Sequence, residues 1–137
     1  TDDVRIIAGC VTGRKAWPLV PAERIAGARL ADAVSHWELE VVRVVEDEVR
    51  PRFVCKTVHV AGHRPWGGYN RAQAAVLELA VLVTRLGMLP AEKIEAELAY
   101  LEIAISKTAG PAEREAWGWL MDKVEAWRAK HRPAPAG

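Results

Sequence analysis

The sequence predicts an α+β fold in which a β-hairpin region is followed by a three-helix C-terminal segment. Residues 36–60 alternate with period two and are rich in β-branched side chains, which is typical of strands. Residues 71–127 carry three apolar stripes at helical spacing. Glycine and proline residues separate these segments, and a length of 137 residues fits one domain with a substantial core.

Residues 1–35 are predicted to be largely irregular. Pro18 and Pro21 each lack a backbone N–H and fix φ, which disfavours regular structure. A short helix is expected to open near Pro21 and to end at Gly27. The chain begins at Thr1 rather than at methionine, so we expect a fragment, a processed product or one half of a split protein.

The predicted hairpin joins a strand over residues 36–45 to a return strand over residues 52–60. The polar residues 46–48 form the turn between them. Strict alternation places four side chains of the return strand on one face. These four are Phe53, Cys55, Thr57 and His59.

Three helices are predicted after a loop rich in glycine, over residues 71–86, over residues 90–107 and from Pro111 to about residue 127. Asn70 is expected to cap the first helix, and Gly87 is expected to end it.

The predicted domain organisation follows from these elements. It comprises a β region at residues 1–62, a helical region at residues 63–130 and a disordered tail at residues 131–137.

Composition excludes several classes of function. The formal net charge is +1 and no polybasic block occurs, so we expect no nucleic-acid partner. The two cysteines, Cys10 and Cys55, are too few for a disulfide framework and are expected to be buried thiols. No apolar stretch is long enough to span a bilayer. The predicted localisation is therefore cytoplasmic, without membrane contact.

Cys55, His59 and His63 have side chains that can bind metal ions, but their spacing argues against a shared site. Residues four apart on one strand lie roughly 13 Å apart, whereas zinc requires its ligands at about 2.0–2.3 Å. We therefore predict no metal site. No catalytic residue is identified either, because hydrolase, P-loop and dinucleotide motifs are missing from the sequence.

The loop at residues 63–71 allows two interpretations. It holds a histidine, two arginines, two aromatic residues and an asparagine just before a helix N-terminus. Such a loop can bind an anion and stack on a planar ring. Alternatively it is a structural corner in which Asn70 caps the helix, Trp66 and Tyr69 fill the core, and the arginines are solvated.

Residues 63–72 (His-Arg-Pro-Trp-Gly-Gly-Tyr-Asn-Arg-Ala) resemble a family of uncharacterised FMN-binding flavoproteins with the split-barrel fold. The family occurs in archaea and methylotrophs and is linked to tetrahydromethanopterin C1 metabolism. Further matching segments are residues 1–3 (Thr-Asp-Asp), 27–33 (Gly-Ala-Arg-Leu-Ala-Asp-Ala), 37–40 (Trp-Glu-Leu-Glu), 75–78 (Ala-Val-Leu-Glu), 84–86 (Thr-Arg-Leu) and 107–110 (Lys-Thr-Ala-Gly).

The resemblance implies FMN as cofactor, a partial split barrel, and flavin-dependent oxidoreductase activity on a small-molecule ligand. The barrel strands that precede this region in the family are missing from the chain, so a homodimer or a partner chain that supplies them is expected. A non-catalytic helical binding or assembly module is the alternative function. The resemblance implies a cofactor site made of Thr1, Asp3, His63, Arg64, Trp66, Asn70 and Arg71.

Overall fold

The computed structural model describes residues 1–131 and has a mixed α+β architecture. Its elements, in chain order, are α1 (Val4–Thr12), β1 (Leu19–Pro21), β2 (Ala28–Leu30), β3 (Ser35–Val45), β4 (Arg52–Gly62), α2 (Arg71–Val83), α3 (Ala91–Thr108) and α4 (Pro111–His131). The predicted hairpin followed by three helices is confirmed. The chain divides into a β unit, Thr1–Asp2 with Trp17–Gly67, and a helical unit, Asp3–Ala16 with the described residues from Gly68 onward.

The β unit contains two small antiparallel sheets. β1 pairs with β2, and Leu19 lies opposite Leu30. The expectation of a helix opening at Pro21 was wrong, because Pro21 ends β1 at the edge of a two-stranded sheet, where its missing N–H costs no ladder bond. The turn at residues 22–27 is closed by the N–H of Ala22, which donates to the carbonyl of Gly27 at 2.9 Å.

The second sheet is the hairpin of β3 and β4, which contains two register shifts. Glu38 lies opposite His59 and Leu39 lies opposite Thr57, so Val58 is an extra residue in β4. Val42 is likewise an extra residue in β3, between the Val41–Cys55 and Arg43–Val54 pairs. Both are β-bulges, which leave one residue unpaired and bend the strand.

The bulge at Val58 changes which residues share a face. Directly opposed residues project from the same face of a sheet, so His59 joins Glu38 while Thr57 joins Leu39 on the other face. The prediction that His59 shares a face with Cys55 was therefore wrong, because strict alternation does not pass through a bulge.

The hairpin is open to solvent along most of its length. Its large exposed apolar side chains are Trp37, Leu39, Val41, Val42, Val44, Phe53, Val54 and Val60. A two-stranded hairpin is marginally stable by itself in water. Exposed apolar side chains on a long hairpin are also the usual mark of a surface that pairs with other chains.

Helix α1 was not expected, since residues 1–35 were predicted to be irregular. Four of its nine residues are β-branched valine or isoleucine, which favour strands in a sequence. The helix forms because Asp3 accepts a hydrogen bond from the N–H of Arg5 and caps the N-terminus. Its other end is closed by Gly13, whose φ of 89° is left-handed, and it buries Val4 and Ala8 in the helical core.

The helical unit holds one apolar core, to which all four helices contribute. Its fully buried large side chains are Val76, Leu79, Ile94, Leu120 and Val124. Helix α2 ends at Val83, three residues before the predicted end, and the hydroxyl of Thr84 donates to the carbonyl of Val81 at 2.7 Å. The prediction that Gly87 ends the helix was therefore wrong.

Two further predictions concern single residues and the chain end. Cys10 and Cys55 are both exposed rather than buried. In each case the residue falls on the solvent side of its element, which a count of cysteines does not reveal.

The predicted tail at residues 131–137 lies outside the described residues except for His131, which ends α4. No helix within residues 1–131 is long and apolar enough to cross a membrane.

Candidate functional site

Three ligand-type side chains meet in the β unit where β3 and β4 pair. His36, Glu38 and His59 each direct one ring nitrogen or carboxylate oxygen into a cluster whose atoms lie within 4.8 Å of one another. Two of these residues are two apart on β3, and His59 lies opposite Glu38 on β4. His59 projects from the same face as Glu38 because of the bulge at Val58.

Glu38 is the most enclosed member of the cluster, with only 2% of its surface exposed. Its Oε1 accepts the N–H of Glu23 at 2.7 Å, and its Oε2 accepts those of Arg24 and Ile25 at 2.6 and 3.2 Å. Burial by itself would raise the pKa of Glu38, but these backbone donors and His36 outweigh it and lower the pKa to about 2. Glu38 is therefore a carboxylate that anchors the 22–27 turn to β3.

His36 connects Glu38 to a second histidine. Its Nε2 lies 3.0 Å from Oε1 of Glu38, and its Nδ1 lies 2.8 Å from Nε2 of His63. An ionised carboxylate only accepts, so the bond to Glu38 assigns the proton of neutral His36 to Nε2, and His63 then donates to Nδ1. The two rings stack with centroids 4.9 Å apart. Burial, together with the charge of Arg29, lowers the pKa of His63 and favours its neutral form.

His59 is the third member of the cluster, and one of its ring nitrogens has no hydrogen bond within residues 1–131. Its ring centroid lies 5.4 Å from that of His36. Its Nε2 is buried and has no hydrogen-bond partner among the residues that the structure describes. Oε1 of Glu23 lies 3.5 Å from this nitrogen. A buried polar atom without a hydrogen bond is uncommon and calls for an explanation.

A cleft of about 290 Å³ opens beside this cluster within the β unit. Thr1, Arg29, His36 and Trp37 are among the residues that line it. The guanidinium of Arg29 donates to the carbonyls of Leu30 and Ala31, at 3.1 and 3.5 Å. Because carbonyls are neutral acceptors, these bonds leave the positive charge of Arg29 in place.

Arg64, by contrast, is held by acidic side chains. It binds both carboxylate oxygens of Asp2, with Nη1 at 3.0 Å from Oδ2, and it lies 3.5 Å from a carboxylate oxygen of Asp32. The hydrogen bond from Arg64 lowers the pKa of Asp2 and keeps it ionised. An anionic ligand at Arg64 would have to displace one of these carboxylates.

The remaining predicted site residues are divided between the two units. In the β unit, Trp66 is 53% exposed, so it does not fill the core. In the helical unit, Asp3 caps α1, Arg71 is exposed at the start of α2, and Asn70 caps α2 by accepting the N–H of Ala72 at 2.8 Å. The expected cap at Asn70 is confirmed, and the binding roles of all seven residues stay predictions.

Sequence reasoning missed His36 and Glu38 as members of a cluster with His59. The spacing of His36 and Glu38 places both on one face of a strand, which was a usable signal. What single-strand spacing does not reveal is the residue opposite, because this depends on the hairpin register and on the bulge at Val58.

Comparison with known proteins gives a match to a family model and a likeness to solved structures. The family model described as a protein of unknown function (DUF447), in its C-terminal section, matches residues 70–122. The fold is similar to the crystal structure of an FMN-bound protein from Methanosarcina mazei that is assigned to DUF447. The TM-score is 0.73 and the identity is 18%, over 90% of this chain and 68% of that one. No curated protein matches.

Proposed function

From this likeness to an FMN-bound structure, we propose that the chain is an FMN-binding flavoprotein. The observation that carries the proposal is the shared fold, with a TM-score of 0.73 over 90% of the chain. The DUF447 match at residues 70–122 supports it, since the solved protein is assigned to the same family.

The β unit contains residues that fit one end of FMN. Arg29 and Thr1 line the cleft, and Arg29 has no carboxylate partner within residues 1–131. Such a guanidinium can bind a phosphate through two parallel hydrogen bonds. The cleft volume of about 290 Å³ is at the lower limit of ligand pockets. It therefore suits the phosphate and ribityl part of FMN, while the ring system needs further surface.

Aromatic side chains are available for that ring. Trp37 lines the same cleft and is 66% exposed. A flat, exposed indole can stack against the face of a planar ligand. We assign the wall of the ring site to Trp37 in addition to Trp66, which the family resemblance implies.

The cofactor contacts of Arg64, His63, Asp3, Asn70 and Arg71 remain part of this proposal on the strength of the resemblance. For Arg64, the carboxylates of Asp2 and Asp32 compete directly with a phosphate. Arg29 is therefore the first choice for the phosphate, and Arg64 is the second.

Bound FMN supplies hydride or electron exchange, and the protein orients and tunes it. We propose an oxidoreductase function on this basis, with a pterin-type substrate in tetrahydromethanopterin-linked C1 metabolism. The family resemblance is the support for the substrate class.

We further propose that the hairpin is part of a split β-barrel that a second copy of the chain completes. The exposed apolar side chains of β3 and β4 support this, because further strands would cover them. A different chain that supplies the strands is the other outcome of the test. Sedimentation of the purified protein alone distinguishes them, since a dimer forms without any added partner.

The second candidate function is a non-catalytic binding module. Exposed aromatic residues outside the cleft favour it, notably Tyr69 at 99% exposure. Exposed tyrosine and tryptophan are enriched at protein interfaces. This function predicts a colourless protein that takes up no FMN.

The deciding experiment is the visible absorbance spectrum of the purified protein after incubation with FMN and removal of excess. We expect a flavin spectrum and release of FMN on denaturation. Arg29→Ala is expected to reduce retention more than Arg64→Ala, and Arg85→Ala, at an exposed position of the helical unit, is the control. Absence of uptake by the unmodified chain would contradict the flavoprotein function, and unchanged retention in Arg29→Ala would contradict the phosphate assignment alone.

A further inference from the structure

We infer that the β unit carries a structural zinc site formed by His36, Glu38 and His59, with Glu23 as the fourth ligand. The three central ligand atoms lie within 4.8 Å of one another. In a tetrahedral site with metal–ligand distances of about 2.0–2.2 Å, the ligand atoms lie roughly 3.5 Å apart. These three ligand atoms would therefore have to approach one another by up to about 1.3 Å, from 4.8 Å to roughly 3.5 Å.

The unsatisfied nitrogen of His59 is the observation that points to a ligand. Its Nε2 is buried and has no hydrogen-bond partner within residues 1–131. Burial of such an atom is costly unless it is paired. A metal ion placed between His59, His36 and Glu38 would accept its lone pair directly.

Glu23 lies outside the group of three, but its carboxylate is close to His59 and would turn inward to close the site on metal binding. Its Oε1 lies 3.5 Å from Nε2 of His59, and its backbone N–H is bonded to Glu38. Two carboxylates balance the charge of a divalent ion. Two imidazoles favour a transition metal such as zinc over magnesium or calcium, which prefer oxygen ligands throughout. Four protein ligands leave no open position, as in structural zinc sites.

His63 has the role of a positioning residue in this site. When a metal occupies Nε2 of His36, the ring proton must reside on Nδ1, which lies 2.8 Å from Nε2 of His63. Nε2 of His63 would then accept a hydrogen bond from this N–H, as the outer partners of metal-bound histidines commonly do. The same hydrogen bond therefore serves both forms of His36, with donor and acceptor exchanged.

A metal at this position would join three segments of the β unit. His36 and Glu38 lie on β3, His59 lies on β4, and Glu23 lies in the 22–27 turn. The site is formed by residues of the chain alone, although His36 and Glu38 also line the cleft assigned to FMN. Its test is therefore carried out on flavin-free protein, so that its outcome does not depend on FMN uptake.

The test is calorimetric titration of the chelator-dialysed full chain with zinc chloride. We expect one zinc ion per chain. His59→Gln is expected to weaken binding by more than about 100-fold, because loss of an outer partner alone costs about 10–100-fold and His59 is itself a ligand. His131→Gln is the matched control, since His131 lies in α4 of the helical unit and stacks on Trp127. Its affinity is expected to equal that of the unmodified chain.

Two results would overturn the site: no zinc binding by the unmodified chain, or equal binding by His59→Gln. Far-UV circular dichroism establishes whether each variant is folded. If His59→Gln does not fold, Glu23→Gln decides, because this side chain is 62% exposed and its replacement leaves the backbone bonds of the turn intact. We expect it to weaken zinc binding about 10-fold, and an unchanged affinity would refute the four-ligand site.

Discussion

Arg128 on α4 binds Glu95 on α3, with Nε at 2.8 Å from Oε1 and Nη2 on the second carboxylate oxygen. This two-pronged contact connects the last two helices of the helical unit. The hydrogen bonds from Arg128 lower the pKa of Glu95 below its ordinary value of 4.5. The pair therefore makes the stability of this unit dependent on pH.

The expected dependence follows from the sign of this shift. Because the pKa of Glu95 is lower in the folded state, the pair stabilises the fold above pH 4.5, and this contribution is lost as the pH falls through the folded value. Both side chains are about a third or more exposed, so we expect about 0.2–1 kcal/mol. Urea unfolding of Glu95→Gln should show this loss at neutral pH and no difference from the unmodified chain in strong acid. A similar loss in Glu102→Gln, an exposed position on the same helix, would contradict the assignment.

Leu79 and Leu77 provide a test of the helical core within one helix. Leu79 is fully buried and Leu77 is 43% exposed. Leu79→Ala should lower the free energy of unfolding by about 2–5 kcal/mol because it leaves a cavity. Leu77→Ala should lower it by less than about 1 kcal/mol. Equal losses in denaturant titrations would show that the buried face of α2 has been misassigned.

Asn70 should stabilise α2 through its cap. Its Oδ1 accepts the N–H of Ala72, so Asn70→Ala removes an acceptor that the first turn of the helix requires. We expect a loss of about 0.5–2 kcal/mol on thermal or urea unfolding. Asn70→Asp keeps the acceptor and should preserve most of the stability. If Asn70→Asp is as unstable as Asn70→Ala, the hydrogen bond from the side-chain amide of Asn70 to the carbonyl of Thr108 contributes more to stability than the cap does.

The two cysteines report on the proposed pairing of the hairpin. Both thiols are exposed, so both should react with a thiol reagent without denaturant. If a second copy covers the hairpin, the reaction of Cys55 should slow as protein concentration rises, while that of Cys10 should not. Cys10→Ser and Cys55→Ser assign the two rates. A Cys55 rate that is independent of concentration would contradict pairing through the hairpin.

The sequence predicts those parts of the fold that depend on local pattern. The helices from Arg71 onward and the hairpin are confirmed because long periodic segments identify their own type. Helix α1 is not predicted, since its residues favour strands and its stability comes from the cap at Asp3 and from burial of Val4 and Ala8. Tertiary packing outweighs local propensity in this segment.

The candidate site is less accessible to sequence reasoning than the fold. His36 and Glu38 follow a readable spacing, but His59 reaches them only through one extra residue in β4. The acidic partners of Arg64 are also distant in the sequence, because Asp2 lies 62 positions away and Asp32 lies 32 positions away. Predicting such contacts requires knowledge of the strand register and the tertiary fold, and the periodicity of the sequence provides neither.

The two bulges of the hairpin also determine how its length can change. Val58 and Val42 are unpaired, and the register after the second bulge is the same as the register before the first. Deleting both residues would therefore shorten each strand by one position while every remaining pair kept its partner, including Glu38 with His59. At these two positions the hairpin can therefore lose one residue from each strand without any change in which residues pair.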